Sequence, residues 1–345
     1  FRWCSDGRVR LCRKDSTSDK LSWSATVQLN DDKSTLHLER QESGDGEPWP
    51  TPLEGSCPRT SLVKSAVQKA VRRQWFETAD ALWEQFCRQD LTEALRRLPI
   101  IAIEDASLVQ GLPHAVWLMA AQSRGYPLTE SDGAVLRSVL WDIVSHPVLD
   151  RTSWGTADAV IANPLDRGLD EVQSGLVFSL RLRRVYGGMP GDMRMLKQAE
   201  VAWLERFRTQ RLPAWWMWEQ RAPVPATAPP AMTPPHEIAI GADFHCCGIM
   251  ETLRLPRGVT MEAVRSAVWL HRSGVNMRQG AESAGDPPSW WPFVAAQLDA
   301  GAPAMWAERQ PEKRKRPRRE AEGKAITSFF RPGKQTSTGT SKVGG

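Results

Sequence analysis

Tyrosine is nearly missing from this 345-residue chain, which has 2 of them beside 16 tryptophans and 9 phenylalanines. The aromatic content is thus concentrated in the side chain that buries the most area, which predicts a packed body. No run of eighteen apolar residues occurs, so no membrane-spanning helix is expected. The six cysteines (Cys4, Cys12, Cys57, Cys87, Cys246 and Cys247) form no CxxC pair. Their irregular spacing predicts reduced thiols in an intracellular protein and gives no zinc-binding pattern. GxxxxGK[ST] is absent, which removes the phosphate cradle of a P-loop ATPase. There is no GxSxG elbow or Ser/His/Asp set. The glycine-rich stretch Gly187-Gly188-Met189-Pro190-Gly191 carries a proline where a dinucleotide site would need a helix to start. No internal repeat is found in the sequence, and no secretory leader is expected. The chain opens on Phe1, which leaves room for a preceding domain.

With 25% charged and 41% hydrophobic residues, most of the chain has the composition of a globular protein. The net charge of +5 is unevenly placed. Residues 308–345 hold 11 Lys/Arg and 4 Asp/Glu, leaving 34 and 36 for residues 1–307. The body is nearly neutral and the tail is basic, which argues against a broad nucleic-acid-binding face on the body.

The patterning predicts a mainly α protein. Residues 1–45 read as a short β-meander, open to being the end of a longer domain, with strands around Arg8–Cys12, Trp23–Leu29 and Thr35–Glu39. A Gly/Pro/Ser/Glu-containing linker at 46–61 leads to a helical domain at 62–211. There Val63, Val67, Ala70, Val71, Trp75, Ala79, Leu82 and Phe86 mark one apolar stripe. Further helices are expected at 91–98, 112–124, 130–145, 170–186 and 193–210, with Thr129 or Ser131 as an N-cap. The apolar run Pro99–Ile103 before Glu104-Asp105 could pass for a strand. A proline-rich connector (212–235) is expected to lead to a small α-rich unit at 236–307 with helices near 261–271 and 289–298. A disordered basic tail at 308–345 completes the chain.

The tail carries the most specific motif. Ile326, Phe329 and Phe330 are spaced i, i+3, i+4, which puts one aliphatic and two aromatic groups on one side of a single turn. An otherwise polar segment exposes such a triplet only where something covers it. The stretch Ile326-Thr327-Ser328-Phe329-Phe330 resembles the PIP box, the sliding-clamp-binding peptide of eukaryotic replication and repair proteins. In that pattern a Gln is followed by two residues, an aliphatic, two residues and two aromatics. Ile326 matches the plug and Phe329 and Phe330 the aromatic pair, while Gly323 stands where the Gln belongs. The resemblance implies a sliding clamp as partner and an affinity reduced by the missing Gln. Upstream, Lys313, Arg314, Lys315, Arg316, Arg318 and Arg319 form a dense basic block. It reads as a nuclear import signal, contacting an import receptor, or as a phosphate contact to DNA.

In the body, Ala66-Val67-Gln68-Lys69-Ala70-Val71-Arg72-Arg73, Ala79-Asp80-Ala81-Leu82 and Arg96-Arg97-Leu98-Pro99-Ile100-Ile101-Ala102-Ile103-Glu104-Asp105 together resemble the C-terminal helical region of clamp-loader-like AAA+ ATPases (the MgsA/RarA and Werner-interacting group) over about 62–108. Without a phosphate loop, the resemblance implies a scaffold that does not hydrolyse ATP. Glu104 and Asp105 then read as a helix cap or as partners for Arg96 and Arg97.

Two further clusters invite chemistry. Asp243, His245, Cys246, Cys247 and Glu251 are of metal-ligand and nucleophile types, but adjacent ligands rarely point at one ion and no second cluster completes four. A buried turn is the simpler reading, with Cys246 and Cys247 as small hydrophobes. Trp215, Trp216 and Trp218 near Arg206, Arg208, Arg211 and Arg221 could stack on unpaired bases, or pack the connector onto the helices. Taken together, the expectation is a nuclear, non-enzymatic DNA replication or repair accessory protein with no cofactor, metal or membrane contact. The alternative is a metal-dependent or thiol enzyme acting on nucleic acid, centred on Asp243, His245 and Cys246.

Overall fold

A computed structural model describes residues 1–13, 20–29, 33–51, 57–151, 168–217, 252–281, 283–307 and 309–310. The described residues are dominated by eight α-helices, beside a small N-terminal sheet. Strands β1 (Arg2–Trp3), β2 (Val9–Arg10), β3 (Trp23–Gln28) and β4 (Thr35–Arg40) form that sheet in the order β2-β1-β4-β3. It departs from a simple meander, because β1 lies between β2 and β4 and runs parallel to β4. A two-residue strand carries no readable alternation, so β1 left no trace in the pattern. In β4 the alternation is clear: Leu36, Leu38 and Arg40 point inward.

A short strand β5 (Cys57–Pro58) precedes α1 (Thr60–Arg72). Next come α2 (Phe76–Asp105), α3 (Leu112–Gln122), α4 (Glu130–Ser145), α5 (Glu171–Val185) and α6 (Pro190–Thr209). A 3₁₀ turn follows at Ala214–Met217, then α7 (Met261–Arg272), α8 (Trp291–Ala307) and β6 (Arg309–Gln310), which pairs antiparallel with β5. Helix α2 bends at Asp90, whose φ of −155° and ψ of 81° leave the helical region. There the Asp90 carboxylate accepts from the Glu93 N–H at 3.1 Å and starts the second segment as a cap. The run Pro99–Ile103 is helical, not a strand: Pro99 removes only the bond to the Leu95 carbonyl, and Ile100, Ile101 and Ile103 are buried from both sides. Thr129 is the N-cap of α4, with its N–H 3.0 Å from the Asp132 carboxylate. No described helix is long and apolar enough to cross a membrane.

One core runs through these elements and includes side chains from the sheet, from α1 to α6 and from α7 and α8. Residues 1–312 make up one compact unit; residues 313–345 lie outside the described part. Trp83, Trp117 and Trp203 are fully buried, and the Trp117 indole donates to the Phe1 carbonyl at 3.1 Å. Gly133 in α4 is required by close packing, because a Cβ there would stand 2.8 Å from the Trp49 ring that holds the 44–51 segment over the helix.

The seams of this core are closed by buried arginines. Arg40, at the end of β4, reaches Asp132 at 2.6 Å and also bonds to Tyr126, its guanidinium 4.3 Å from the Trp3 ring centre. Arg137 of α4 grips Asp80 of α2 through both nitrogens, with Nε at 2.8 Å. Arg278, 5% exposed, donates to the carbonyls of His146 (2.6 Å), Val71 (2.7 Å), Ile143 (2.9 Å) and Val144 (3.2 Å). It therefore caps the C-terminal ends of α1 and α4 together, where a cation also complements both helix dipoles. Burial pulls its pKa down to about 10.

Asp80 and Arg137 test this description. Asp80→Ala removes the carboxylate against which the Arg137 guanidinium is buried and is expected to cost about 3–5 kcal/mol in urea unfolding. The double change Asp80→Ala with Arg137→Met is expected to cost clearly less than the sum of the two single changes. Additive losses would show that the pair is not coupled.

Candidate ligand pocket

A cavity of about 870 Å³ opens between α1, the second half of α2, the start of α6, and α7. Helix α1 supplies one wall because Ser61, Lys64, Ser65, Gln68 and Arg72 recur every three to four residues, with Lys69 beside them. The opposite face of α1, with Val63, Val67 and Ala70, enters the core. Helix α2 contributes Arg97 and Glu104, two turns apart on one face. Met189 and Asp192 come from the start of α6, and Glu262, Arg265, Ser266, Trp269 and Leu270 from α7.

The floor is a dense charge network. The Arg72 guanidinium donates to Asp105 through Nε and to the Glu104 carboxylate through Nη2 at 3.1 Å, and lies 4.7 Å from the centre of the Trp269 ring. Asp105 also accepts from Gln68 Nε2 at 2.7 Å. Its burial pushes its pKa up, against the pull of Arg72. Arg97 bridges Gln68, Glu104 (3.2 Å) and Asp192 (3.3 Å). Two donors in this floor, Arg72 Nη1 and Arg97 Nε, are buried with no hydrogen-bond partner among the described residues.

Lys69 is a buried charge with little compensation. It is 2% exposed, and its ammonium donates to Ser65 Oγ at 2.7 Å. Among the described residues it makes no ion pair. Burial, helped by the nearby Arg72, lowers its pKa to about 7, while Asp105 and Glu104 pull only partly the other way. The arrangement can hold an anion against fixed planar donors, and it offers Lys69 as an amine that changes charge near neutrality. A resident metal ion does not fit this floor, because Glu104 and Asp105 are already tied to arginines, and no group of three His/Cys/Asp/Glu suited to a metal occurs among the described residues.

The residues singled out from the sequence are placed as follows. Asp105 pairs with Arg72, and Glu104 with Arg72 and Arg97, whereas Arg96 donates to the carbonyls of Tyr186 and Gly187. Trp215 and Trp216 pack on Trp203, with ring centres at 6.0 and 4.5 Å, and Trp215 also meets His146. Arg206 beside them is engaged by Asp150 at 2.6 and 3.1 Å. Trp218, Asp243, His245, Cys246, Cys247 and Glu251 lie outside the described residues, as do the basic block and Ile326, Phe329 and Phe330. Sequence reasoning passed over Lys69, Arg265 and Trp269 as site residues. The available signal was a helix carrying Ser61, Ser65, Gln68, Lys69 and Arg72 on the side facing away from its apolar stripe.

Comparison of the chain with protein-family models, with curated proteins and with solved structures finds no match.

The buried amine has a measurable consequence. Lys69 titrates near 7 when folded and near its ordinary 10.5 when unfolded. Between those values the unfolded chain binds more protons, so this group makes stability rise with pH across that window. Comparing urea unfolding at about pH 7.5 and about pH 9.5, the Lys69→Met variant is expected to lack a rise on the order of 2 kcal/mol that the unsubstituted chain shows. Equal pH dependence in the two proteins would place the amine in water.

Proposed function

We propose that this protein is a nuclear accessory factor of DNA replication or repair that docks on a sliding clamp through Ile326, Phe329 and Phe330. The observation that carries this reading is the triplet itself: three large apolar groups at i, i+3, i+4 inside a segment of otherwise polar and basic composition. Phe329 and Phe330 would fill an apolar pocket on the clamp with Ile326 beside them. The block from Lys313 to Arg319 serves nuclear import and attraction to DNA threaded through the ring. The resemblance of residues 62–108 to the helical region of clamp-loader-like ATPases supports a role at the same machinery. Because the sequence lacks a phosphate loop, that role is a scaffold's and not a motor's. The ordering cost of a docking peptide, together with Gly323 in the Gln position, sets the affinity at roughly micromolar.

Titration of the full chain against the sliding clamp by calorimetry tests this. Binding is expected with a Kd of order micromolar, weakened at least ~10-fold by Phe329→Ala with Phe330→Ala. Equal binding by that double variant, or no binding at roughly 100 µM, would overturn the reading.

A further inference from the structure

The cavity between α1, α2, α6 and α7 has no part in clamp docking, and its chemistry points to a ligand of its own. A buried ammonium is costly unless an anion or several acceptors surround it. Lys69 has one hydroxyl, Ser65 Oγ at 2.7 Å, and no carboxylate among its described bonds. Beside it, Arg72 is held at Nε and Nη2 by Asp105 and Glu104, which fixes the plane of the guanidinium while Nη1 has no partner among the described residues. The Arg72 side chain is 4% exposed. Arg97 likewise keeps a buried Nε unpartnered. Near the mouth, the exposed Arg265 makes no ion pair among the described residues. Pre-positioned planar donors next to a buried, only partly compensated ammonium match the tetrahedral oxygens of a phosphate better than a single carboxylate.

The rest of the lining narrows the ligand further. Trp269, Leu270 and Met189 give the same cavity an apolar, partly aromatic wall, and its volume of about 870 Å³ suits a ligand much larger than phosphate alone. A flat heterocycle attached to a phosphate uses both surfaces, with the ring along the aromatic wall and the phosphate at Lys69 and the arginine donors, on the side of Arg72 and Arg97 away from the carboxylates they already hold. We propose that this pocket binds a nucleoside 5′-monophosphate group, with Lys69, Arg72 and Arg265 contacting the phosphate and Trp269 the base. The same chemistry has two sources, a free mononucleotide or the phosphorylated 5′ end of a DNA strand.

Calorimetric titrations of the full chain decide it. The probes are deoxyadenosine 5′-monophosphate, deoxyadenosine, and one short single-stranded oligonucleotide carrying either a 5′-phosphate or a 5′-hydroxyl. The phosphate-bearing member of each pair is expected to bind at least ~10-fold tighter than its phosphate-free counterpart. The oligonucleotide pair cancels the sequence-independent pull of the basic tail. A preference in the free-nucleotide pair identifies a mononucleotide ligand; a preference confined to the oligonucleotide pair identifies a strand end. Lys69→Met is expected to remove the preference. Arg265→Gln, a surface change that leaves folding intact, is expected to weaken it several-fold. The Phe329→Ala, Phe330→Ala chain is expected to keep it, so this test and the clamp test fail separately. The proposal is overturned if no phosphate-bearing probe binds at roughly 1 mM, or if phosphate-bearing and phosphate-free probes bind alike. It is also overturned if the preference survives both Lys69→Met and Arg265→Gln.

Discussion

A guanidinium taken out of water must find acceptors for its donors, and few groups inside a protein are free to provide them. This constraint shapes the whole body. Arg40 ties the sheet to the start of α4, and Arg137 ties α4 to α2. Arg72 joins α1 to the end of α2, and Arg278 bonds the ends of α1 and α4 to the segment after α7. Each bond has a direction, so each seam has one register in which the charge is satisfied. Apolar packing supplies the driving force, but side chains such as Val63 and Leu98 would tolerate a slide that these arginines forbid.

The pocket meets that constraint only in part. At Lys69 one hydroxyl stands in for an anion, and Arg72 Nη1 and Arg97 Nε have no hydrogen-bond partner among the described residues, as is also true of Arg278 Nε at its seam. The tryptophan wall from α7 and the charged floor from α1 and α2 come from segments about two hundred residues apart, brought together by the Arg278 bonds, the stacking of Arg72 on Trp269, the bond from Arg73 to the Arg272 carbonyl and the surrounding core. A ligand there would complete electrostatics that the fold leaves open, and would also strengthen the contact between α7 and the rest of the body.

Much of the architecture was readable in advance because the helices are amphipathic over several turns. The buried faces of α1 (Val63, Val67, Ala70, Val71) and α2 (Ala79, Leu82, Phe86) and the cap at Thr129 needed only local spacing, whereas Trp75, counted in the same stripe, is exposed in the break between the two helices. What escaped was of two kinds. Elements of two residues, such as β1 and β5, are too short for any period to register. The Pro99–Ile103 run was ambiguous because a helix buried on all sides loses its polar face and looks like a buried strand. The acidic pair after it was rightly matched to arginines, but half of the match was Arg72, a helix away, and Arg96 turned to backbone carbonyls instead. The pocket was legible only as a helix, α1, with polar residues on a side that turned out to be covered, since its other walls depend on tertiary packing.

The pairing of β5 with β6 fixes where the tail departs. Gln310 sits opposite Cys57, three residues before Thr60 begins α1, and Ser61 of that helix lines the cavity. Ile326 lies sixteen positions beyond Gln310, so the chain between them can span at most ~55 Å. In the clamp-docking proposal the triplet is thus tethered within that reach of the β5–β6 pair. Under the two proposals above, a strand end held at the clamp would meet the cavity at an effective concentration set by that length of chain and not by the bulk solution.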